Sequence, residues 1–551
     1  MDLLRIYEKS MMDHWELPAI SDYMTGITVT YGEVARRIEL THMLYRELGI
    51  KPGDKVALMG RNSIEWIVTF MATITYGAVI VPVLQEFNPA DAQHIVNHSD
   101  AVLLVVGRSI AENLDASQMP ALKAVLALED GEVLAEKKSS RGRMARAVAA
   151  VSMKFARRFA PGFGPTDVAY AEVSPDSVAE INYTSGTTGF SKGVMLTYAN
   201  LAGNVTFGIE AHLYSPTARC LCFLPLAHAY GCAFDMLTPL ACGACITVLG
   251  KTPTPPVLLK ALAAVKPTLI LCVPLILEKI YRRAILPAIS KPSMQRLLKT
   301  PLVGTLVRRK IRRKLTDILG GEFAQVIVGG APLNPEVEAF LLSIGFPVTV
   351  GYGMTECGPL ISYTPAKHFI GGSCGRTITG MESKIVGEGD PTLVPGEICV
   401  QGVNVMKGYY KNSVATAAVL DDDGWLHTGD MGTRTPDGTL FIKGRYKTMI
   451  LTATGQNIYP EEIEAKLNNL PYVGESLVVE REGRLVALVY PDYEAMDRDG
   501  LTLAGIERPM EHVRRQLNEL VAPYERIDRI QVHPTEFVKT PKRSIKRFLY
   551  S

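Results

Sequence analysis

The sequence predicts an α/β protein with a large, multi-layer N-terminal domain of sheets and helices and a small α+β C-terminal domain. The chain of 551 residues is longer than one compact core usually accommodates, which favours two domains. Helical patterns alternate with short β-branched runs through most of the chain, as in largely parallel sheets covered by helices. After residue 440 this rhythm changes to an alternating hairpin pattern and a charged helix.

The β-branched runs predict buried strands. In chain order they are VALMG, AVIVPVL, AVLLVVG, LILCVP, QVIVGG and VTVGYG. The longest uncharged run, from Trp66 to Leu84, approaches the length of a membrane span. Gly77 and Pro82 interrupt this run and its end is rich in valine. We therefore interpret it as a buried helix followed by a buried strand.

The change of pattern near Gly444 predicts a domain boundary. An N-terminal domain would comprise residues 1–444 and a C-terminal domain residues 445–551. The second part contains the hairpin pattern LVVEREGRLVALVYP and a charged helix from Pro509 to Leu520. These elements are typical of a separate α+β unit.

The composition indicates a globular protein, with 47% apolar and 21% charged residues. A formal net charge of +2 gives no global reason to expect a nucleic-acid partner. The nine cysteines lack regular spacing and the N-terminus lacks the apolar run of a signal peptide, so we expect reduced thiols in a cytoplasmic protein. Cys242 and Cys245 form a C-x-x-C pair in an apolar stretch, which favours core packing over metal or redox chemistry.

Two segments are strongly basic. Residues 132–164 are predicted to be helical between turn-rich ends, and a second basic helix is predicted from Lys299 to Leu315. Two interpretations stay open for both segments. Either they are solvated helix faces, or they attach the protein peripherally to anionic lipid at the inner face of a membrane.

The strongest local signal is INYTSGTTGFSKGVMLTYANL, which begins at Ile181. A predicted strand enters a loop rich in glycine and hydroxyl side chains, and a helix is expected after it. Backbone N–H groups, hydroxyls and one lysine are what phosphate oxygens require. The loop residues are Thr184, Ser185, Gly186, Thr187, Thr188, Gly189, Ser191, Lys192 and Gly193, and Asn200 is expected near the first turns of the helix. The spacing differs from that of a Walker A loop, because Gly186 is followed five places later by Ser191.

This loop resembles the phosphate loop of the adenylate-forming enzymes, the superfamily of acyl-CoA synthetases, luciferases and peptide-synthetase adenylation domains. Further motifs follow in that superfamily's order and cover nearly the whole chain: LPLAHAYG, VGGAPLNPEVEAF, GYGMTECGP, GEICVQGVNVMKGYY, GWLHTGDMG, GRYKTMI and GQNIYPEEIE. The sequences GGAPLNPEVEAF and NIYPEEIE are most similar to the corresponding motifs of long-chain fatty acyl-CoA ligases. The resemblance implies that ATP, Mg²⁺ and coenzyme A take part.

The resemblance also implies roles for individual residues. Glu356 would be the Mg²⁺ carboxylate, with Thr184 beside it, and Lys192 would face phosphate. His228 would border the acyl carboxylate, although a histidine on an apolar segment is also typical of core packing. The remaining nucleotide contacts would be Gly330, Ala331, Pro332, Tyr352, Gly353, Thr355, Asp430 and Arg445. For Tyr352 core packing stays an alternative to stacking on adenine, and for Asp430 and Arg445 a surface ion pair stays an alternative to ribose binding.

The resemblance further implies a mobile C-terminal lid with its hinge near Lys447 and a pantetheine channel beside Gly455. One position departs from the pattern. Relatives end in K-T-x-T-G-K-I-x-R-F, whose second lysine acts in adenylation, whereas Ser544 stands at that place here. Either Lys542 or Lys546 is expected to substitute, because residues two apart on an extended segment point to the same face.

The sequence as a whole predicts a fatty acyl-CoA synthetase that forms an acyl-adenylate from ATP and then transfers the acyl group to coenzyme A. Two alternatives stay open. One is an acyl-AMP ligase that loads an acyl carrier protein, and the other is a catalytically weakened acyl- and nucleotide-binding protein, suggested by Ser544. The sequence leaves open the acyl chain length, an aryl acid as substrate, and the oligomeric state, for which a homodimer is the base-rate expectation.

Overall fold

The computed structural model describes residues 2–137, 142–160, 162–184, 192–451, 457–540 and 545–550. The predicted fold class is confirmed: several sheets and their helices build a large N-terminal body, and a small α+β unit follows it. The helices are α1 (Leu3–Asp13), α2 (Tyr31–Glu47), α3 (Ile64–Thr75), α4 (Pro89–His98), α5 (Arg108–Ala111), α6 (Arg143–Arg158), α7 (Tyr198–Glu210), α8 (Ala229–Gly231), α9 (Thr238–Ala241), α10 (Pro255–Val265), α11 (Pro274–Ile280), α12 (Leu286–Ile289), α13 (Pro292–Lys299), α14 (Val303–Ile318), α15 (Pro335–Ser343), α16 (Ser413–Ala417), α17 (Pro460–Leu467), α18 (Tyr493–Arg498) and α19 (Glu507–Leu520).

The strands fall where the β-branched runs predict them and at further positions. They are β1 (Pro18–Asp22), β2 (Thr28–Thr30), β3 (Lys55–Met59), β4 (Val79–Val83), β5 (Ala101–Val106), β6 (Ala124–Ala127), β7 (Val133–Glu136), β8 (Val178–Thr184), β9 (Lys192–Thr197), β10 (Arg219–Cys222), β11 (Cys245–Val248), β12 (Ile270–Cys272), β13 (Val326–Val328), β14 (Val348–Val350), β15 (Tyr352–Gly353), β16 (Leu360–Tyr363), β17 (Arg376–Thr377), β18 (Met381–Val386), β19 (Gly396–Gly402), β20 (Gly408–Tyr409), β21 (Leu426–Arg434), β22 (Leu440–Arg445), β23 (Ile450–Leu451), β24 (Asn457–Ile458), β25 (Val473–Arg481), β26 (Arg484–Pro491) and β27 (Arg529–Val532).

An eight-stranded sheet forms the centre of the body, in the order β20-β9-β8-β4-β3-β5-β6-β7. The pairs β3–β4, β3–β5, β4–β8 and β5–β6 are parallel, as the buried apolar runs predict. The strands β8 and β9 form an antiparallel hairpin in which Thr184 lies opposite Lys192. Thr184 and Lys192 therefore lie side by side at one end of this hairpin.

A second, parallel sheet has the order β12-β13-β14. The residue after β14 is hydrogen-bonded to the last residue of β13, since Gly351 donates its N–H to the Val328 carbonyl, 2.9 Å. Ligands of open parallel sheets bind beyond the carboxyl ends of the strands, and both the GGAP and the GYGMTE motifs begin there. A four-stranded antiparallel sheet, β18-β19-β21-β22, follows in the chain.

The buried core changes at the predicted boundary. One hydrophobic cluster extends from Leu3 to Leu440, and a separate one extends from Ile458 to Val521 and Ile527 around β25, β26 and α19. The hairpin and the charged helix predicted for this part are confirmed by β25, β26 and α19. The division into residues 1–444 and 445–551 stays a prediction, which this change of core supports.

The structure also bears on the long apolar run, on membrane-spanning helices and on the cysteines. The run from Trp66 to Leu84 contains most of α3 and all of β4, both buried, as interpreted from the sequence. Within the described ranges, no helix combines the length and the apolar character that crossing a membrane requires. All nine cysteines are free thiols, and Cys242 and Cys245 are partly buried at the end of α9 and the start of β11.

One predicted helix begins later than expected. The basic helix predicted from Lys299 to Leu315 begins at Val303 and a separate helix ends at Lys299, because Pro301 lacks a backbone N–H donor and Leu302 has a φ of 61°. The helix predicted after the phosphate-loop motif, with Asn200 near its first turns, is confirmed as α7. The residues Lys192 and Gly193, predicted to belong to the loop, instead begin the strand β9, which precedes α7.

Candidate functional site

The hairpin β8–β9 positions two of the predicted residues. Thr184 is the last residue of β8 and Lys192 the first of β9, and both are half-buried. The ammonium group of Lys192 lies 4.7 Å from the ring centroid of Tyr409, within the range of a cation–π contact. The predicted loop residues Ser185, Gly186, Thr187, Thr188 and Gly189, with Ser191, lie outside the described residues.

Tyr409 connects the predicted phosphate lysine to the predicted metal carboxylate. It lies on β20, which pairs with β9 so that Tyr409 is opposite Val194. Its hydroxyl donates a hydrogen bond to Glu356 Oε1, 2.9 Å. Burial and the neighbouring Glu356 both raise the pKa of Tyr409, so the phenol keeps its proton for this bond. We call Glu356 and Tyr409 the carboxylate–tyrosine pair.

Sequence reasoning missed Tyr409. The residue is part of the motif GEICVQGVNVMKGYY, for which the resemblance implies no role of any single side chain. Its significance depends on the pairing of β20 with β9, which residues distant in the chain bring about. The one sequence signal that pointed to this region was the position of its motif in the ordered series of superfamily motifs.

Helix α7 anchors the segments that carry the carboxylate–tyrosine pair. Asn200, in its first turn, is fixed by a reciprocal capping box with Thr197. Its side-chain amide donates to the Val405 carbonyl, 2.8 Å, in the loop before β20. One turn later Asn204 donates to the Cys357 carbonyl, 3.2 Å, directly after Glu356. One helix therefore holds both segments.

A second group of predicted residues meets around Asp430. Its Oδ2 accepts a hydrogen bond from the Tyr352 hydroxyl, 2.7 Å, and its Oδ1 lies 2.9 Å from Arg445 Nε. Tyr352 and Asp430 are buried, whereas Arg445 is exposed. A purely surface ion pair is thus excluded for Asp430. Burial raises the pKa of Asp430 and the Arg445 guanidinium opposes this rise.

The turn before Asp430 is held by Glu397 of β19. Glu397 Oε1 accepts the Gly429 N–H, 3.1 Å, and Oε2 lies 2.8 Å from His427 Nδ1. The Cys399 thiol also lies near His427, with Sγ 3.4 Å from Nδ1. Burial raises the pKa of Cys399 to about 12, so this thiol is protonated at neutral pH. Among the described residues, Glu397, Cys399 and His427 form the cluster of metal-ligand types whose donor atoms lie close together, and it includes neither Glu356 nor Tyr409.

The glycine-rich segment after β13 is open to solvent. Gly330, Ala331 and Pro332 are exposed, and Gly330 has a φ of 83° that favours glycine. The neighbouring Gly353 has no room for a side chain, since a Cβ there would lie 2.2 Å from the Pro359 carbonyl oxygen. Backbone groups can therefore approach a flat ligand closely in this region.

The segment that contains His228 packs against the end of β13. His228 is half-buried at the start of α8. Tyr230 donates its hydroxyl to the Ile327 carbonyl, 3.0 Å, and a Cβ on Gly329 would lie 3.0 Å from its ring. The structure thus brings the His228 motif beside the GGAP motif. Thr355 is buried in the short 3₁₀ turn that also carries Glu356.

A buried acid follows this segment. Asp235 lies in the π-helical turn Cys232–Leu237, with its Oδ1 3.4 Å from Cys220 Sγ. Its Oδ2 has no hydrogen-bond partner within the described part of the chain. Complete burial raises the pKa of Asp235 to about 8. Sequence reasoning did not identify this carboxyl group.

The C-terminal residues predicted to act in catalysis are only partly described. Lys542 and Gly455 lie outside the described residues. Lys546 is half-buried and its N–H donates to the Val538 carbonyl, 2.8 Å. Among the described contacts, none joins Lys546 to Glu356 or Lys192. Its neighbour Arg547 pairs with Glu464 of α17, so this segment is anchored to the C-terminal unit. Lys447 lies in the 3₁₀ turn Tyr446–Thr448, directly after β22.

The residue types predicted to bind the metal, Glu356 and Thr184, fit Mg²⁺. A carboxylate and the Thr184 hydroxyl are hard oxygen ligands, and Mg²⁺ commonly takes one or two protein carboxylates and fills its other positions with phosphate oxygens and water. The cation on Lys192 complements a phosphate beside such an ion. These residues could hold a magnesium nucleotide.

Comparisons with known proteins identify the family of this chain. The family model described as AMP-binding enzyme matches residues 7–410. The peroxisomal long chain acyl-CoA synthetase 6 of Arabidopsis thaliana is 32% identical over 498 residues, which cover 85% of this chain and 69% of that protein. The long-chain-fatty-acid–CoA ligase FadD15 of Mycobacterium bovis is 29% identical, with 94% and 90% of the two chains covered.

A solved structure agrees in fold over the full chain. The ATP-bound MatB from Rhodopseudomonas palustris has a TM-score of 0.76 and 23% identity, with 100% of this chain and 98% of that chain covered. At this identity the likeness concerns the fold alone. The match of the family model to residues 7–410 does not depend on this likeness in fold. The chain therefore belongs to the family of AMP-binding enzymes, the adenylate-forming superfamily.

Proposed function

We propose that this protein is an AMP-forming fatty acyl-CoA synthetase that acts on long-chain acids. It condenses ATP and a fatty acid to acyl-AMP with release of pyrophosphate, and then transfers the acyl group to coenzyme A with release of AMP. The observation that carries the proposal is the contact of Tyr409 with both Lys192 and Glu356. It unites a cation and a carboxylate at the end of the β8–β9 hairpin.

The chemistry explains why these groups are needed. A carboxylate that attacks the α-phosphorus of ATP brings two anions together, and charge accumulates on the phosphoryl oxygens. Lys192 supplies a fixed positive charge, and Glu356 and Thr184 would hold Mg²⁺, which neutralises phosphate charge when bound. Tyr409 orients the carboxylate. Asp430 offers acceptors to the ribose diol, with Arg445 beside it.

The relatives support a fatty acid as the substrate class, since two that match most of this chain are named as long-chain enzymes. A test would supply the purified protein with ATP, coenzyme A and a series of fatty acids of increasing length, plus aryl acids, and measure AMP. Turnover that rises with chain length supports the proposal. Turnover confined to aryl or short acids contradicts it.

Two alternative functions can be distinguished from the proposed one by changing the acyl acceptor or by measuring pyrophosphate exchange. An acyl-AMP ligase would form a thioester on acyl carrier protein and not on free coenzyme A. A catalytically weakened binding protein would fail to exchange labelled pyrophosphate into ATP in the presence of acid. We propose coenzyme A as the acceptor because the named relatives are coenzyme A ligases.

We further propose that residues 445–551 form a lid that rotates about Lys447 between the two half-reactions. The separate hydrophobic core of this part supports a unit that moves as one body. Among the described residues, the polar contacts that would have to break are partly buried or exposed. Arg282 donates to the Asn468 carbonyl, 2.6 Å, and Asn334 donates to the Asn469 side chain, 2.8 Å. The ion pairs Arg283–Glu494 and Lys443–Glu462, each 3.2 Å, also join the two parts. Either Lys542 or Lys546 would reach the adenylation site in one lid position.

The remaining parts of the proposal concern the protein's surroundings. We propose a cytoplasmic location, which the free state of all nine thiols supports. Peripheral contact with the inner face of a membrane would suit an enzyme whose substrate partitions into lipid. A homodimer is kept as the expectation for oligomeric state, to be measured by light scattering.

A further inference from the structure

The helices α13 and α14 form a basic hairpin that projects from the N-terminal body. We call residues 292–318 the basic hairpin. The C-terminal end of α14 is anchored, because Leu315 is buried in the main core, as is Leu319 directly after the helix. The two helices approach closely at the other end, where a Cβ on Gly304 would lie 2.5 Å from the Leu298 carbonyl oxygen.

The tip of the basic hairpin is apolar and open to solvent. Leu302 is 83% exposed and Leu306 is 64% exposed, and Val303 between them is also exposed. Leu302 has a φ of 61°, in the left-handed region that a leucine rarely occupies. A chain that exposes three large apolar side chains on one turn loses hydrophobic free energy in water, so a partner for them is expected.

Cations lie before and after this tip along the chain, and no acid lies among them from residue 291 to residue 316. They are Lys291, Arg296, Lys299, Arg308, Arg309, Lys310, Arg312, Arg313 and Lys314. Arg312 reaches the Gly345 carbonyl, 3.4 Å. Within the part of the chain that the structure describes, none of these cations is paired with an acid. Apart from Asp317 near the end of α14, residues 292–318 contain no acid, so positive charge predominates on the basic hairpin.

The other basic segment, which contains helix α6, differs because some of its cations are paired with acids. Helix α6 packs along α2, and two of its cations are neutralised there: Lys154 pairs with Glu47 at 2.6 Å and Arg158 with Glu39 at 3.4 Å. For α6 the interpretation as a helix on the protein body is therefore favoured. The unpaired charge is concentrated on the basic hairpin.

We propose that the basic hairpin docks on an anionic lipid bilayer, with its leucine tip inserted among the acyl chains and its cations on the headgroup phosphates. The spacing suits this arrangement. Leu302 and Arg308 are six residues apart, which is about 9 Å along a helix, and interfacial helices bury their apolar face by roughly 5–10 Å. The cations thus begin where the headgroups would lie.

A nucleic acid fits the same charge less well. It offers phosphates but no apolar phase for Leu302, Val303 and Leu306. The segment from residue 291 to residue 316 also lacks aromatic side chains, on which single-stranded bases commonly stack. A bilayer satisfies both the charge and the exposed leucines, so the charge complementarity and the tip together favour lipid.

The test is sedimentation of the full-length protein with vesicles of phosphatidylcholine alone or with about 30% phosphatidylglycerol, a fraction that gives the surface an anionic potential like that of an inner leaflet. We expect binding to the anionic vesicles and little to the neutral ones, with about a tenfold loss when salt is raised from about 0.1 to about 0.5 M. Equal binding to both compositions, or no binding, would overturn the proposal.

Two pairs of variants separate insertion from charge. The double change Leu302→Ser with Leu306→Ser is expected to weaken vesicle binding by about 20-fold, and Arg309→Ala with Lys310→Ala by a similar factor. The matched control is Leu393→Ser with Val414→Ser, which removes equally exposed apolar side chains elsewhere and should bind like the wild type. Serine variants at the tip that bind as well as this control would contradict insertion.

Two further measurements distinguish lipid docking from misfolding and from nucleic-acid binding. Circular dichroism and AMP formation with a short, soluble acid in the absence of vesicles should be unchanged in all variants, since the tip lies outside the proposed site. Loss of the synthetase reaction in the wild type would refute the proposed function and leave vesicle binding standing. Binding of duplex or single-stranded DNA that is stronger than vesicle binding and insensitive to the serine changes would overturn lipid docking and identify a nucleic-acid surface instead.

Discussion

Replacing Tyr409 with phenylalanine tests whether the carboxylate–tyrosine pair supports catalysis. The change removes one hydroxyl and keeps the ring beneath the Lys192 ammonium group. The lost interaction is the 2.9 Å hydrogen bond to Glu356 Oε1. Because Tyr409 is buried, water cannot easily take the place of the hydroxyl. Glu356 would then be free to rotate away from the position in which it would bind Mg²⁺.

The size of the effect follows from the kind of bond. A hydrogen bond to a charged group contributes about 1.5–3 kcal/mol, and each 1.4 kcal/mol corresponds to a factor of about ten in rate. We therefore expect kcat/KM for magnesium ATP to fall by about 10- to 100-fold. The apparent Mg²⁺ requirement should rise, because the proposed metal carboxylate is less well oriented.

The neighbouring residue provides a matched control. The Tyr410 hydroxyl donates to Asp100 Oδ2, 2.8 Å, at an exposed place on the surface. Acid-dependent exchange of labelled pyrophosphate into ATP would be measured for Tyr409→Phe and Tyr410→Phe at several Mg²⁺ concentrations. Tyr410→Phe should change the rate less than about twofold, as is usual for surface bonds. Equal rates for the two variants at every Mg²⁺ concentration would refute the reasoning.

Three further predictions concern other buried or positioning groups. Glu397→Gln should raise the KM for ATP by about tenfold with little change in kcat, because the turn before Asp430 loses its charged acceptor; steady-state kinetics would show it, and an unchanged KM would count against the role. Asp235→Asn should stabilise the protein at pH 8 by up to about 5 kcal/mol and have little effect near pH 4. The raised pKa means that the native fold binds the proton more tightly than the unfolded chain, so native stability falls as pH rises from about 4 to about 8; urea unfolding at both pH values would detect this, and a pH-independent difference would contradict it. Of Lys542→Ala and Lys546→Ala, one should slow pyrophosphate release by about 100-fold or more, and normal rates in both would disprove substitution for the missing lysine.

The strands could be predicted from the sequence because their signal is local. A β-branched run such as the one around Val105 is apolar enough to indicate a buried parallel strand without knowledge of its partners. The same locality explains a failure. Lys299 to Leu315 has a continuous helical pattern of charge and leucine, and only the backbone geometry at Pro301 and Leu302 shows where it divides.

The site was less predictable than the fold. The resemblance predicts roles for Glu356, Lys192 and Asp430 from their motifs, and the structure shows which neighbouring side chains contact each of them. Tyr409 and Glu397 could not be found in this way, because each acts through a contact between strands far apart in the sequence. No local pattern records such pairings.

Helix α7 fixes the positions of two parts of the candidate site relative to each other. Because Asn200 and Asn204 lie on one rigid element, a displacement of α7 would move the acidic turn and the tyrosine strand by the same amount. The distance between the acidic turn and the tyrosine strand would stay the same, while the distance of both from the segment Gly330 to Pro332, which is predicted to contact adenine, would change. Thermal motion or a distant substitution would then alter how tightly the nucleotide is bound sooner than how its phosphates are aligned.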